Sequence, residues 1–342
     1  MVILPHTGAW HIGFTTAGRF TPVQACPATM DAALTLSPRG DSFTVLDSDR
    51  KRASLYRILP DEPWIEPAVR PASLPKGCIG HATLGINGTL FVGGHGKSGE
   101  ALWLRSRDDA DQWREIPLPS AIRRPGKAVD GLHWDGERLI AVDNIVRPKW
   151  LLLYDVLAGH SLTLIDEIQL PSHVTHERVV ASCLGEGRLG VISRGINHGR
   201  ASTHVWVLET TRFEQVRHWA FRHDSPRPSP FPSLAPIDTD ESTDDTAVVS
   251  SCLSHGRAIA SLDNDFLVAC GDHGIIAFDG KAGDPAKPLD GVRQIATRGL
   301  RSVDHLVVPL PDQRNGVFAV GQGSSGKLDF EWMSAAIVGE PN

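Results

Sequence analysis

Three apolar runs begin at positions 90, 139 and 266, and nine residues before each stands an ionisable side chain: His81, Asp130 and Arg257. A comparable offset of 12 or 13 from the runs at 43 and 317 reaches Asp31 and the Asp304-His305 pair. Glu177-Arg178 occupies the matching place before the run at 189. An apolar inner segment does not require such residues, so their recurrence points to a site. Charged groups converging on one narrow opening must pair, hold a cation or shift their pKa values. The chemistry expected is a centre in which Asp130, Asp304 and Asp31 hold one divalent ion while His81 and His305 move the proton as catalytic acid and base. Carboxylates suit calcium or magnesium, and added imidazoles turn the preference toward manganese, zinc or iron.

A second set follows the same runs: Asp47, His95, Asp143-Asn144, Arg194, His198 and His273. Three of these occur in related strings, Gly94-His95-Gly96, Asn197-His198-Gly199 and Asp272-His273-Gly274. With Arg257, the residues His95, Asp143, Asn144, Arg194, His198 and His273 are the expected substrate-binding shell. Neighbouring strands lie ~4.8 Å apart, so loops that start one strand farther out reach a common ion only by folding inward. The first set is therefore expected to carry the chemistry. The competing reading is structural: Asp-Asn and His-Gly form turns readily, and charges at an opening can form a solvated ring of salt bridges.

The elements that must position these residues repeat. A short apolar run, a Gly/Asp/Asn turn, a second apolar run and a third run often bearing Trp recur six times, with second-run starts at 43, 90, 139, 189, 266 and 317. Asn87-Gly88 and Asp135-Gly136 between β-rich runs are strong hairpin signals, because two-residue hairpin turns require positive φ. Third runs include Ala101-Leu-Trp103, Trp150-Leu-Leu and His204-Val-Trp206; their tryptophans are expected to pack between units. Four short antiparallel strands per 40–50 residues is the blade of a β-propeller. The expectation is an all-β, six-bladed β-propeller of four-stranded antiparallel blades, one domain over 1–342. The segment Trp10–Phe14 and Arg19–Val23 is expected to lend an outer strand to the last blade.

The unit lacks the paired Gly-His and Trp-Asp signatures of WD40 blades and the double glycine of kelch blades. Its pattern over the whole chain resembles the divergent six-bladed propellers of the NHL, regucalcin and gluconolactonase type. That resemblance is one of architecture, and it implies no residue roles. About 27 extra residues separate the fourth and fifth second runs. At about 223–247 they comprise five prolines from Pro226 to Pro236 and then Asp238-Thr-Asp-Glu-Ser-Thr-Asp-Asp245, a composition unable to fold alone. It reads as a solvated loop or a docking segment.

Composition excludes several classes. The formal net charge is −6, unsuited to a nucleic-acid partner or an anionic membrane. Gly321-Gln-Gly-Ser-Ser-Gly326 matches a dinucleotide fingerprint in letters, but a strand-like run follows it where a helix N-terminus is needed, so no nucleotide cofactor is expected. The five cysteines are odd in number and have no C-x-x-C pair, which reads as free thiols in a reducing compartment. No basic segment or apolar h-region precedes Pro5, so no secretory signal is read and a cytoplasmic location is expected. Two functions stand side by side. One is a metal-assisted hydrolase or lyase acting on a small molecule. The other is a non-catalytic platform binding a protein partner through the top face or the acidic insertion.

Overall fold

A computed structural model describes the chain apart from residues 1, 8, 17, 18, 38, 63, 98, 107–111, 119–128, 144–148, 157–161, 171–174, 198, 199, 213, 214, 223–255, 257, 263, 281–290, 296, 298, 308–315 and 335–342. Among the described residues every regular element is a β-strand, and the strands group into seven antiparallel meanders. The first is β1 (Val2–His6), β2 (Ala9–Thr16) and β3 (Arg19–Ala25). The second is β4 (Ala33–Leu36), β5 (Ser42–Leu46), β6 (Arg52–Ile58) and β7 (Ile65–Ser73). The third is β8 (Ile79–Ile86), β9 (Thr89–Gly96), β10 (Gly99–Ser106) and β11 (Arg114–Ile116), and the fourth β12 (Val129–Trp134), β13 (Arg138–Asp143), β14 (Lys149–Val156) and β15 (Leu162–Leu170). The fifth is β16 (Thr175–Gly185), β17 (Arg188–Asn197), β18 (Arg200–Glu209) and β19 (Gln215–Arg222). The sixth is β20 (Ala258–Leu262), β21 (Asp265–Ala269), β22 (Ile275–Asp279) and β23 (Val292–Ile295), and the last β24 (His305–Val307), β25 (Gly316–Gln322) and β26 (Leu328–Ser334).

The chain is thus an all-β propeller with seven blades, where the repeat pattern predicts six. The seventh is the N-terminal meander. β1 pairs with β2 over Val2–His6 and β2 with β3, so this segment builds its own sheet instead of closing the last one. Its inner strand is as apolar as any other: Val2, Ile3 and Leu4 are fully buried. The pattern hides it because β3 alternates exposed and half-buried residues and carries Pro22, a composition fit for an outer edge and unlike the apolar third runs elsewhere.

The hairpins form where the turn chemistry demands. Asn87 and Gly88, between β8 and β9, hold φ of 49° and 78°, the paired positive values of a tight two-residue turn. Strands alternate side chains between two faces, and both faces are buried where a sheet has neighbours. The second and third sheets share Leu46, Leu55, Leu90, Val92 and Trp103; the third and fourth share Phe91, Leu102, Val129, Leu139 and Tyr154. The fifth and sixth meet through Ile192, Trp219, Phe221, Phe266 and Phe278. Each such side chain contributes about 1.5–3 kcal/mol on leaving water, so the layers between sheets are the main stabilising element.

The chain divides into two compact units, Met1–Leu170 with 309–313, and Pro171–Val308 with Arg314–Asn342. The first four sheets belong to the former and the last three to the latter. No helix among the described residues is long and apolar enough to cross a membrane.

Candidate functional site

His81 and Asp130, found in the sequence by a shared offset, are brought together by a shared irregularity. Along β8 and β9 the pairing runs Gly80 with Gly94 and then Ala82 with Gly93, so His81 is an extra residue with no partner across the ladder. Along β12 and β13 it runs Val129 with Asp143 and then Gly131 with Val142, leaving Asp130 extra in the same way. Each is a β-bulge on the first strand of its sheet, and a bulge re-aims the side chain that a regular strand would bury. β16 has a register shift between Val179 and Ala181, where the extra residue is Val180, so that sheet keeps the geometry without the chemistry.

His81 Nδ1 lies 2.7 Å from Asp130 Oδ1, and its other nitrogen, Nε2, is 3.0 Å from His95 Nδ1. The two imidazoles are 5.1 Å apart between centroids and tilted by 57°. The His81 and Asp130 side chains are 16% and 13% exposed, enough for access and too little for full screening by water. Asp130 Oδ1 is buried and lacks an aligned hydrogen bond, so its contact with His81 is an ion-pair approach and not a linear N–H···O bond.

The carboxylate fixes the direction of this chain. A carboxylate only accepts, and an imidazole lone pair aimed at it from 2.7 Å would be repelled, so Nδ1 of His81 carries the proton. Nε2 of a neutral His81 is then an acceptor, and His95 Nδ1 must donate to it. The free lone pair of the assembly falls on His95 Nε2, for which the described residues offer no partner. Burial, reinforced by the neighbouring His81 ring, holds His95 below the usual imidazole range, and Asp130 offsets part of that fall.

Gly93 sets the approach of the two sheets. A β-carbon there would sit 2.6 Å from Val129 Cγ1 and 3.0 Å from the Val129 carbonyl oxygen, so only glycine lets the start of β12 lie this close to β9. The string Val92-Gly93-Gly94-His95 carried that signal, two glycines ending an apolar run just before a histidine. The bulges themselves leave no mark in the residue types.

The other expected residues sit in their own sheets and turns. His273 lies in the turn between β21 and β22, its N–H donating to Cys270 O at 3.2 Å and its carbonyl accepting from Gln294 Nε2. The Arg194 guanidinium, on β17, donates to the carbonyl of Gly256. His305 opens β24 as an exposed residue, and the Asp304 carboxylate before it accepts from Ser302 Oγ at 3.3 Å. Asp31 is exposed ahead of β4, and hydrogen bonds, first from the Thr29 side chain, hold its carboxyl below the usual range. Asp143 ends β13 opposite Val129. Asn144, His198, Arg257 and the insertion at 223–247 lie outside the described residues.

The contacts of His81 leave it no place as a ligand of the expected cation. Both ring nitrogens of His81 are engaged, by Asp130 and by His95, leaving no lone pair for a metal. The described residues hold no group of three His, Cys, Asp or Glu side chains placed to ligate an ion. What Asp130, His81 and His95 can do is move a proton. A proton taken by His95 Nε2 allows the Nδ1 proton to pass to His81, where the resulting imidazolium is stabilised beside the carboxylate.

No protein-family profile matches the chain, and no curated protein matches it in sequence. Solved structures do. A chain of the mitotic checkpoint complex superposes with a TM-score of 0.54 at 11% identity, covering 95% of this chain and 84% of that one. A computationally designed protein, Ika8, gives 0.49 at 10% identity over 96% and 81%, and a protein from Lactobacillus plantarum 0.45 at 13% over 86% and 80%. At such identities the likeness is one of fold alone.

Proposed function

We propose that the chain is a small-molecule enzyme in which His95 Nε2 acts as general base and then general acid, backed by His81 and Asp130. The observation behind this reading is the order from a carboxylate in ion-pair contact with one imidazole to a second imidazole, hydrogen-bonded to the first, with an open lone pair. In the first step His95 Nε2 accepts a proton from a bound water or from an acidic substrate position. Its Nδ1 proton moves to His81 Nε2, and positive charge settles next to Asp130. Returning the proton to the leaving group resets the chain. Hydrolysis and elimination both need this two-way transfer, so the reaction class is hydrolase or lyase. General acid–base transfer of this kind contributes about 10²–10⁴ in rate.

The test is ring-nitrogen NMR on the full chain labelled with ¹⁵N-histidine. His95 and His81 should both appear as Nδ1-protonated tautomers, and Asp130→Asn should shift His81 toward a mixture. A His95 proton resident on Nε2 in the wild type would overturn the assignment.

A further inference from the structure

The residues bordering this group carry a charge pattern unlike the chain as a whole. The turn between β5 and β6 and the connections β7–β8 and β9–β10 contribute Arg50, Lys51, Lys76 and Lys97, all exposed. They are tied to the site by the backbone. Arg50 O accepts from the N–H of Gly80, the residue before His81, at 2.8 Å, and Lys51 O accepts from Leu74 N at 2.7 Å. Lys97 follows His95 by two positions, and its stem lies over Gly77, beside Lys76.

None of these four cations has an ion-pair partner among the described residues, whereas the carboxylates of the β5–β6 turn, and Asp31 bonded to Ser48 of that turn, are engaged. Asp47 approaches Arg52 at 3.8 Å, Asp49 Oδ1 accepts from the backbone N–H of Lys51, and Asp31 is hydrogen-bonded by Thr29 and Ser48. A chain with a net charge of −6 thus concentrates unpaired cations around its one Asp-His-His order among the described residues. Unpaired like charges repel and gain nothing from proximity unless an anion joins them.

We infer that the site takes a small anionic substrate, a phosphate monoester or similar dianion, whose charged group is held by Arg50, Lys51, Lys76 and Lys97 while its reacting part faces His95. This rests on the proton-transfer reading above for the role of His95, but the anion site itself stands on the cations. A dianion suits several point charges better than a single carboxylate would, and three of the four are lysines, which bind phosphate without fixed angles.

Calorimetry of inorganic phosphate into the full chain at low ionic strength tests it, with malonate as a carboxylate arm. The combined variant Arg50→Asn, Lys76→Gln, Lys97→Gln removes charge while respecting the positive φ of 57° at Arg50, where asparagine is tolerated. Expected are saturable one-to-one phosphate binding by the wild type, a loss of about tenfold or more in the combined variant, and retention in Lys327→Gln, an exposed lysine of the second unit. His81→Asn should keep phosphate binding, since it alters the proton chain and no cation of this set. Phosphate left unbound by the wild type, or bound equally by the combined variant as an adventitious ion only, overturns the anion site even where the NMR upholds the proton chain. Tighter binding of malonate than phosphate overturns the phosphate assignment. Phosphate bound by the wild type and by His81→Asn but lost in the combined variant upholds the anion site even where the NMR does not support the proton chain.

Discussion

Among the described residues two histidine pairs are hydrogen-bonded, one in each compact unit, and they are built to opposite ends. In the first, His81 and His95 follow a carboxylate at two bulged strands. In the second, His204 Nδ1 is 2.9 Å from His218 Nε2 on the in-register stretch Ser202–Val207 of the β18–β19 ladder, and His204 Nε2 is 3.1 Å from Ser202 Oγ. His218 stacks on Trp206 at 3.6 Å between centroids and 7° between planes, and Trp206 donates to Ser193 Oγ. Ser202, His204 and Trp206 are all buried. A pair of imidazoles is therefore not in itself a chemical signal. Among the described contacts, what separates the two is the group beside the pair: a carboxylate that can hold an imidazolium, or a buried hydroxyl that cannot.

The sharpest way to break this contrast is by turnover on an anionic hydrolase or lyase substrate. His95→Gln should lower kcat by about 10²–10⁴, whereas His204→Gln should leave it within about twofold, since it touches no part of the proton chain. Loss of turnover in both would mean that the two pairs work as one system.

Stability should reverse the order. His204→Ala removes a wholly enclosed ring with its hydrogen bonds to Ser202 and His218, a cavity-forming loss of about 3–4 kcal/mol. His95→Ala, at a half-buried site, should cost about 1 kcal/mol. Urea midpoints of the two variants decide it, and equal losses would erase the distinction between a chemical pair and a packing pair.

Acid should act on the first unit. Burial pulls His133, on the same strand as Asp130, down to about 4, and His95 is lowered too. Below the ordinary imidazole pKa of ~6.5 the unfolded chain binds protons that the folded chain refuses, so stability falls as pH drops from there toward 4 and is flat above. For His133 the loss over that window is about 3 kcal/mol at most. Hydrogen exchange at successive pH values should show protection falling first in β12, and His133→Leu should flatten the slope. An unchanged slope would move the acid sensitivity elsewhere.

Gly93→Ala sharpens the comparison at its geometric root. A methyl group 2.6 Å from Val129 must push β12 from β9, costing about 2 kcal/mol as overpacking and carrying Asp130 away from His81. The variant should show the His81 tautomer mixture expected of Asp130→Asn while Asp130 is still present. A rise in instability with unchanged tautomers would leave Gly93 a packing residue only.

How much of this the sequence held depends on what each feature leaves behind. Turn chemistry is written in residue types, so Asn87-Gly88 and the six second runs were legible, and the offset of nine placed His81 and Asp130 at equivalent positions. The N-terminal sheet was not, since β3 is an edge strand with Pro22 and reads as an irregular arm. Offsets do not carry the direction of a side chain, which is what pairs His81 with Asp130: bulges aim the two at each other. His95 was legible as a residue beside the opening but assigned to binding; cross-strand proximity to His81 comes from the register of β8 and β9, which the hairpin turn fixes and the residue pattern shows only after that turn is placed.

The smallest effect tests the terminus of the second pair. Ser202 Oγ lies 3.4 Å from the carbonyl of Gly195, which can only accept, so the hydroxyl donates there and accepts from His204 Nε2–H. His204 Nδ1 is then the acceptor and His218 Nε2 the donor, a chain that ends in a neutral carbonyl. At the Ser202 end no carboxylate is available to hold a second proton. Ser202→Ala removes one buried hydrogen bond to each neighbour and should cost about 1 kcal/mol, read as a lowered urea midpoint. Its NMR signature is more telling: His204 should lose its fixed tautomer while turnover at the other pair is untouched. A His204 that stays Nε2-protonated without the serine would show that some other contact sets its direction, and the contrast between hydroxyl and carboxylate termini would then explain only half of the difference between the pairs.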